Sequence, residues 1–543
     1  MRRAPPGRAL EYATRCPSRF RRIPRRLNVS LFSERSAGIC LPLSALRSHE
    51  DWGVGEFGDL PRFARWMRSA GLSWLALLPL NECALGQDSP YSTLSAFALD
   101  PLYLSLAEVE DFRADEDLGT SEWEALRALR SSPRVEMDGV RRIKAACLRR
   151  AHHRFRALSA DSPRRLDFEA FRAENAAWLP DYALFRAIKE VLHPEWWLSW
   201  PAELRGRQPR ALEEVRGKLG EEVAFFEYLQ WQAYRQMQRA HAVARAEGVR
   251  LLGDLPFVVA VDSADAWSRQ DEFSVETTMG APPDTYAEAG QDWGLPSYRW
   301  AALRASDFAW LRQRARFAAK LYDGARIDHV VGYYRSYLIP RDGTPPHFDP
   351  ADEGEQKELG EAILRALGGE GIELVAEDLG TVPPFVRESL AALQVPGYRV
   401  LRWEKDGSVY RDPRGWPARS IATTGTHDTE TLAAWWDALS EEERRAFRAI
   451  PSLPGGWDPS APFGEPVHES ILEMLYQSGS NLLLLPIQDL FGLRERINTP
   501  GTVSRDNWSF RLPWTIDEME RDPYVQKVAA ASAERARRSG RIR

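Results

Sequence analysis

Eight short apolar runs constrain the fold of this chain more than any other feature. They cover residues 39–43, 74–80, 249–255, 325–328, 372–377, 398–403, 420–424 and 482–486. Each has the length of a buried strand rather than of a helix. Between them, apolar residues recur at helical spacing over 59–70, 382–393 and 429–439. Strands that alternate with helices imply a parallel sheet, and eight such units close a barrel. The expected fold is therefore α/β, a (β/α)8 barrel.

Two gaps between runs are too long for a simple crossover. From residue 88 to 248 the pattern is mostly helical, with apolar residues at helical spacing over 181–192 and 221–247. This reads as a helical insertion, about 100–248, between the second and third strands. From 258 to 300 the chain is rich in Gly, Pro, Asp and Trp and reads as a long loop, of the kind that serves as a lid or binding segment. The domain plan is then a disordered basic extension over 1–30, a barrel domain over 31–515 and a C-terminal tail over 516–543. The basic run 535–543 is expected to fray. Residues 1–28 are rich in Arg and Pro and lack the apolar core of a secretory signal. Pro5, Pro6, Pro17 and Pro24 oppose an amphipathic transit helix there.

The formal net charge is −6, so the composition points to neither nucleic acid nor an anionic membrane surface. No apolar run reaches the length of a membrane span. Four cysteines, Cys16, Cys40, Cys83 and Cys147, show no Cys-x-x-Cys spacing, which makes a reducing cytoplasm the default setting. The nine histidines include no His-x-x-x-His pair and so no zinc signature. The 20 tryptophans fit either sugar stacking or core packing, and packing is the expectation for any one of them.

Three of the apolar runs end in acids: Gly324-Ala-Arg-Ile-Asp328-His329, Ile372-Glu-Leu-Val-Ala-Glu377-Asp378 and Ser420-Ile-Ala-Thr-Thr-Gly-Thr426-His427-Asp428. In a parallel barrel the C-terminal ends of the strands converge on one pocket. Retaining cleavage of a glycosidic bond needs a carboxylate nucleophile and a carboxylic acid that protonates the leaving oxygen. Asp328 is the nucleophile candidate, because Arg326, two residues earlier on the strand, points the same way. Glu377 is the acid/base candidate, since the apolar residues before it raise a carboxyl pKa. Asp428 is the candidate for holding sugar hydroxyls more tightly in the transition state. Asp378 should point the other way if the strand continues, and anchor a loop or touch a neighbouring hydroxyl. The structural alternative for Asp378 and Asp428 is a helix N-cap, and for Asp254 a cap or turn anchor.

The chain resembles the 4-α-glucanotransferase (amylomaltase, disproportionating-enzyme) family from about residue 36 to 514. The matching stretches are Asp88-Ser-Pro-Tyr91, Ser95-Ala-Phe97, Asp181-Tyr-Ala-Leu-Phe185, Gly253-Asp-Leu-Pro256, Asp262-Ser-Ala-Asp265 and Gly280-Ala-Pro-Pro-Asp284. They continue with Gly290-Gln-Asp-Trp-Gly294, Arg326-Ile-Asp-His329, Ala376-Glu-Asp-Leu-Gly380, Thr424-Gly-Thr-His-Asp428, Pro486-Ile-Gln-Asp489 and Arg496-Ile-Asn-Thr-Pro-Gly501. The resemblance implies the same three roles for Asp328, Glu377 and Asp428. It also implies sugar contacts from Ser89, Tyr91, Asp254, Gln291, Trp293, Arg326, His329, His427 and Asn498. The implied reaction moves α-1,4-glucan segments to the 4-hydroxyl of an acceptor through a covalent intermediate, with no metal or organic cofactor. The implied partners are α-1,4-glucans and maltooligosaccharides, with monomer and dimer both open. Four positions depart from the family pattern, and all are expected near the groove. Leu295 stands where Asn is common, Val330-Val331 for Phe-Arg, Thr429-Glu430 for Asn-Asp, and Asp100-Pro101 for Asn-Pro. On the same barrel, an α-glucan hydrolase, a branching enzyme and a non-enzymatic glucan binder are the rival readings.

Overall fold

The computed structural model describes residues 33–283, 290–458 and 460–542. The expected extension over 1–30, with Cys16, lies outside the described residues.

All eight apolar runs are strands. They are Ser36–Leu41, Trp74–Leu77, Arg250–Leu255, Gly324–Ile327, Glu373–Ala376, Gly397–Val400, Ser420–Thr423 and Leu482–Pro486. They lie in one sheet in chain order, and the first pairs in parallel with the last, Ser36 opposite Leu482. Between the fifth and sixth strands the ladder thins to one link, Ala376 N–H donating to the Pro396 carbonyl at 2.8 Å. The sheet is thus a barrel, as expected.

Alternation along each strand sends side chains either into the barrel or out to the helices. Trp74, Ala76, Leu252, Val375, Ile421, Leu482 and Leu484 fill the inside as a separate cluster, with Cys40 and Tyr398 against it. Their neighbours Leu75, Leu77, Leu251 and Leu483 join the larger core under the helices. Side chains fill the barrel up to a small cavity of about 40 Å³ beneath its C-terminal rim.

Between the second and third strands run helices that include Met137–Arg156, Pro163–Glu174, Leu179–Val191 and Gly220–Ala246. The last of these packs along Leu60–Ser69 and the strand Arg250–Leu255, tying the insertion to the barrel wall. Among the described residues, no helix is long and apolar enough to cross a membrane.

Two expectations are corrected. The stretch 258–300 is not a loop throughout. It holds a helix, Ala264–Ser268, and two strands, Phe273–Ala281 and Gln291–Tyr298. These strands join Ser336–Pro340 and His347–Asp349 in a four-stranded antiparallel sheet. Register shifts between Ser274/Thr278 and Met279/Gly280 break the alternation that would have marked the strands. The second correction is at the C-terminus. In place of a fraying tail, a helix spans Pro523–Arg538, its N-terminus capped by the Asp522 side chain. It buries Val525, Ala529, Ser532 and Ala536 and packs on Leu60–Ser69 and Glu465–Tyr476. Gly71 (φ 72°) permits the approach, since a Cβ there would meet the Ala533 Cα at 2.8 Å. Past the helix, Arg541 is 2% exposed and donates to the carbonyls of Ser36, Tyr476, Asn481 and Ser480 at 2.8–3.0 Å. Of the charges that read as solvated, Arg541 is buried on backbone carbonyls, while Arg535, Arg537 and Arg538 pair with Glu469, Glu534 and Glu473.

Candidate active site

The acids stand where a parallel barrel places its chemistry, just past the C-terminal ends of the fourth, fifth and seventh strands. Arg326, on the fourth strand, is their common centre. Its Nη1 lies 3.0 Å from Asp328 Oδ1, and its Nη2 lies 4.0 Å from Glu377 Oε2. The same Nη1 donates to both oxygens of Asp254 at 2.8 and 2.7 Å. One guanidinium therefore ties together acids from three adjacent strands. Asp254 is 4% exposed and also accepts from the Tyr91 hydroxyl at 2.7 Å. Its carboxylate is fully engaged inside the protein, on the wall of a small inner cavity shared with Arg326 and Glu377.

Asp328 Oδ2 accepts from the Phe257 backbone N–H at 3.3 Å. Glu377 accepts from the N–H groups of His329, at 2.8 Å, and Leu379, at 3.2 Å. His329 reaches Glu377 from a left-handed backbone conformation (φ 46°), a costly one for this residue type. Burial pushes the Glu377 carboxyl up to about 8, with Asp328 adding to the rise and Arg326 and the His329 N–H opposing it. Burial also holds the His329 imidazole down at about 4, so it is neutral at neutral pH.

The third acid sits in a different field. Asp428 accepts from Asn498 Nδ2 at 2.6 Å and lies 3.2 Å from His427 Nε2. Burial works to raise its carboxyl, but His427 and Asn498 together pull it below the ordinary carboxylate range. Tyr91 stacks on His427, with centroids 5.0 Å apart at 18°, and so joins the Asp428 side of the site to the Asp254 side. Neither Asp378 nor Asp428 is an N-cap, because the helices after them are capped by Pro383 and Thr431. Asp254 lies within a strand. Asp378 anchors its surroundings by accepting from Tyr398 N–H at 2.7 Å, but it borders the same open space as Glu377 and Asp428.

A groove of about 830 Å³ runs from these acids along the antiparallel sheet. Trp293 and Gln291 line it, and Trp293 Nε1 donates to Gln291 Oε1 at 3.1 Å. The Trp293 ring meets His329 edge to face at 4.8 Å. Ser89 is half-buried and accepts the Tyr91 N–H at 3.3 Å, fixing the turn that presents Tyr91. Every residue singled out from the sequence is thus linked into one network, Ser89 and Gln291 at its margins.

Several wall residues were not singled out. Phe257, whose N–H serves Asp328, directly follows Gly253-Asp-Leu-Pro256, a usable signal. Tyr337 and Phe348 lie on the antiparallel sheet, which the sequence pattern hid. Of the four departures from the family pattern, Val331 is on the groove wall and Glu430 reaches the Asp428 turn. Asp100 is a correction. It is 1% exposed and held by Arg141 at 2.9 and 2.8 Å, a buried ion pair within the segment between the second and third strands. Most large tryptophans are core, among them Trp74, Trp231, Trp267, Trp310 and Trp436.

A (β/α)8 barrel with this cluster of acids over a long aromatic-walled groove defines a carbohydrate-active enzyme. A family model described as 4-alpha-glucanotransferase matches residues 41–517. Among curated proteins, a 4-alpha-glucanotransferase of Chlamydia pneumoniae is 32% identical over 90% of this chain and 94% of its own length. The Thermus thermophilus 4-alpha-glucanotransferase is 33% identical over 85% and 92%. Among solved structures, an amylomaltase from Streptococcus agalactiae in complex with acarbose superposes with a TM-score of 0.80 at 24% identity, covering 94% of this chain and all of that one. The chain belongs to the 4-alpha-glucanotransferase family.

Proposed function

We propose that the site cuts an α-1,4-glucan with retention, holds one part as a β-glycosyl ester of Asp328, and passes it to the 4-hydroxyl of an acceptor glucan or glucose. The observation that carries this reading is the pair of carboxyls around Arg326, one beside the cation at 3.0 Å and one buried and raised to about 8. In the first half-reaction Asp328 attacks the anomeric carbon while Glu377, protonated at neutral pH, gives its proton to the leaving oxygen. In the second, Glu377 takes the proton of the acceptor hydroxyl as that oxygen displaces Asp328. Asp428, set by Asn498 and His427, accepts from sugar hydroxyls whose hydrogen bonds tighten in the oxocarbenium-like state. Trp293 and Gln291 cover the groove and favour a bound acceptor over water. The setting we propose is the cytoplasm, where thiols such as Cys40, Cys83 and Cys147 stay reduced.

The test is the product ladder from maltotriose. Transfer makes glucose and longer oligomers with little gain in reducing ends. A steady rise in reducing ends would establish a hydrolase, and α-1,6 linkages in the proton NMR spectrum a branching enzyme. Trapping with an activated fluorinated glucosyl donor should add mass to the peptide that carries Asp328. A label on any other carboxylate would overturn the assignment.

A further inference from the structure

The segment that carries His427 and Asp428 lies between the strand Ser420–Thr423 and the helix Leu432–Ala438. Side chains from three other places hold it. Buried Asp489 accepts from the Thr424 hydroxyl at 2.5 Å and from Leu432 N–H at 2.6 Å. Arg402, 5% exposed, donates to the Thr424 carbonyl at 3.1 Å and to the Glu430 carbonyl at 2.9 Å. Arg496 donates to the Asp428 carbonyl at 2.7 Å and to the Asn498 carbonyl at 3.0 Å. Asn498 in turn donates to the Asp428 carboxylate.

Glu430 is the counter-ion of both arginines. Its Oε2 accepts from Arg402 Nη1 at 3.0 Å, and its Oε1 lies 3.5 Å from Arg496 Nη1. Without it, Arg402 would keep Asp489 as a counter-ion, but the carboxylate that bridges the two guanidiniums would be gone, and their repulsion would act on the arginine that grips Asp428 and Asn498. Glu430 is also one of the positions that depart from the family pattern, where Asp is common. Nothing in the reaction described above uses its carboxylate.

We propose that Glu430 is a positioning residue. By bridging Arg402 and Arg496 it holds the Asp428 backbone and the Asn498 amide in the geometry that the transition state requires. This rests on the reading of Asp428 as the transition-state-stabilising acid. A half-exposed ion pair adds little to stability. A displacement of reacting groups by about 1 Å can cost about 10²-fold in rate. The contribution should therefore fall on turnover rather than on folding or ground-state binding.

The experiment compares Glu430→Gln, Glu430→Asp, Arg496→Gln and the Glu430→Gln/Arg496→Gln double variant of the full chain, with kcat and KM on maltotriose and Tm for each. Glu430→Gln should lower kcat by about 10- to 100-fold, with KM within about twofold and Tm nearly unchanged. Glu430→Asp should recover most of the loss, and the double variant should be no worse than the poorer single, because both break one clamp. If Glu430→Gln does not fold, Arg496→Lys, which keeps the charge and loses the fork, should show the same drop in kcat at constant KM. A raised KM with kcat kept would mean that Glu430 touches sugar. That result, an unchanged kcat, or additive losses would each overturn the proposal. Asp428→Asn separates the two levels. Full turnover in that variant would remove the reading of Asp428 itself. An inactive Asp428→Asn beside a fully active Glu430→Gln would remove the clamp alone.

Discussion

Glu377 and Asp428 are driven in opposite directions by what surrounds them. Burial dominates at Glu377 and takes it to about 8, whereas His427 and Asn498 overcome burial at Asp428 and take it down. Carboxyls pushed apart in this way can serve as proton donor and fixed anion at the same pH. On this reading, kcat/KM should fall as pH rises through about 8, when free Glu377 loses its proton. Glu377→Gln should lower kcat by about 10²- to 10⁴-fold. The same substitution should help the fold at high pH. A carboxyl raised from 4.5 to about 8 is one that the folded state prefers protonated, so ionisation costs stability as pH climbs through 8. The Tm of Glu377→Gln relative to the parent should therefore be higher at pH 9 than at pH 6, and calorimetry at the two values would check it. The three acids were legible because each ends an apolar run. The partner of Asp254 was not, because alternation assigns a side chain to a face of the sheet but not to the cation across it.

Among the elements, the hairpin of Phe273–Ala281 and Gln291–Tyr298 matters most for what enters the groove. Gly280 pairs opposite Asp292, and a Cβ on it would come within 1.9 Å of the Gln291 carbonyl oxygen. Backbone against backbone leaves no room to yield, so Gly280→Ala should displace the strand that carries Gln291 and Trp293. The expected outcome is a lower ratio of transfer to hydrolysis on maltotriose, measured by reducing ends, with little change in Tm, since the sheet lies beside the barrel core. Trp293→Ala should move the ratio the same way. An unchanged ratio in Trp293→Ala would end the water-exclusion role. The eight barrel strands could be read from sequence because each is a short, largely apolar stretch of strand length. The hairpin could not, because its strands are half-exposed, bulged, and carry Gly and Pro at positions that mimic a loop.

At the scale of the molecule, the barrel is fastened where its first strand, its last strand and its final helix meet. Arg541, just past that helix, donates to carbonyls at Ser36 on the first strand, at Asn481 just before the last strand, and at Tyr476, the end of the helix Glu465–Tyr476. Arg541→Leu removes a charged donor from several buried carbonyls, a hydrogen bond of this kind being worth about 1.5–3 kcal/mol. The expected loss is about 3 kcal/mol or more in denaturant unfolding, with kcat on maltotriose unchanged in the folded fraction. Sequence reading treated this arginine as frayed because a run of cations at a terminus is usually solvated. The carbonyls that take Arg541 come from residues 36 and 476–481, which no local pattern brings next to residue 541. The fastening also sets a direction. Ser36 and Arg541 sit at the floor of the barrel, and the acids sit at its rim. A tether, a carrier bead or a fused protein attached near either place pulls on the floor and leaves the opposite mouth facing outward.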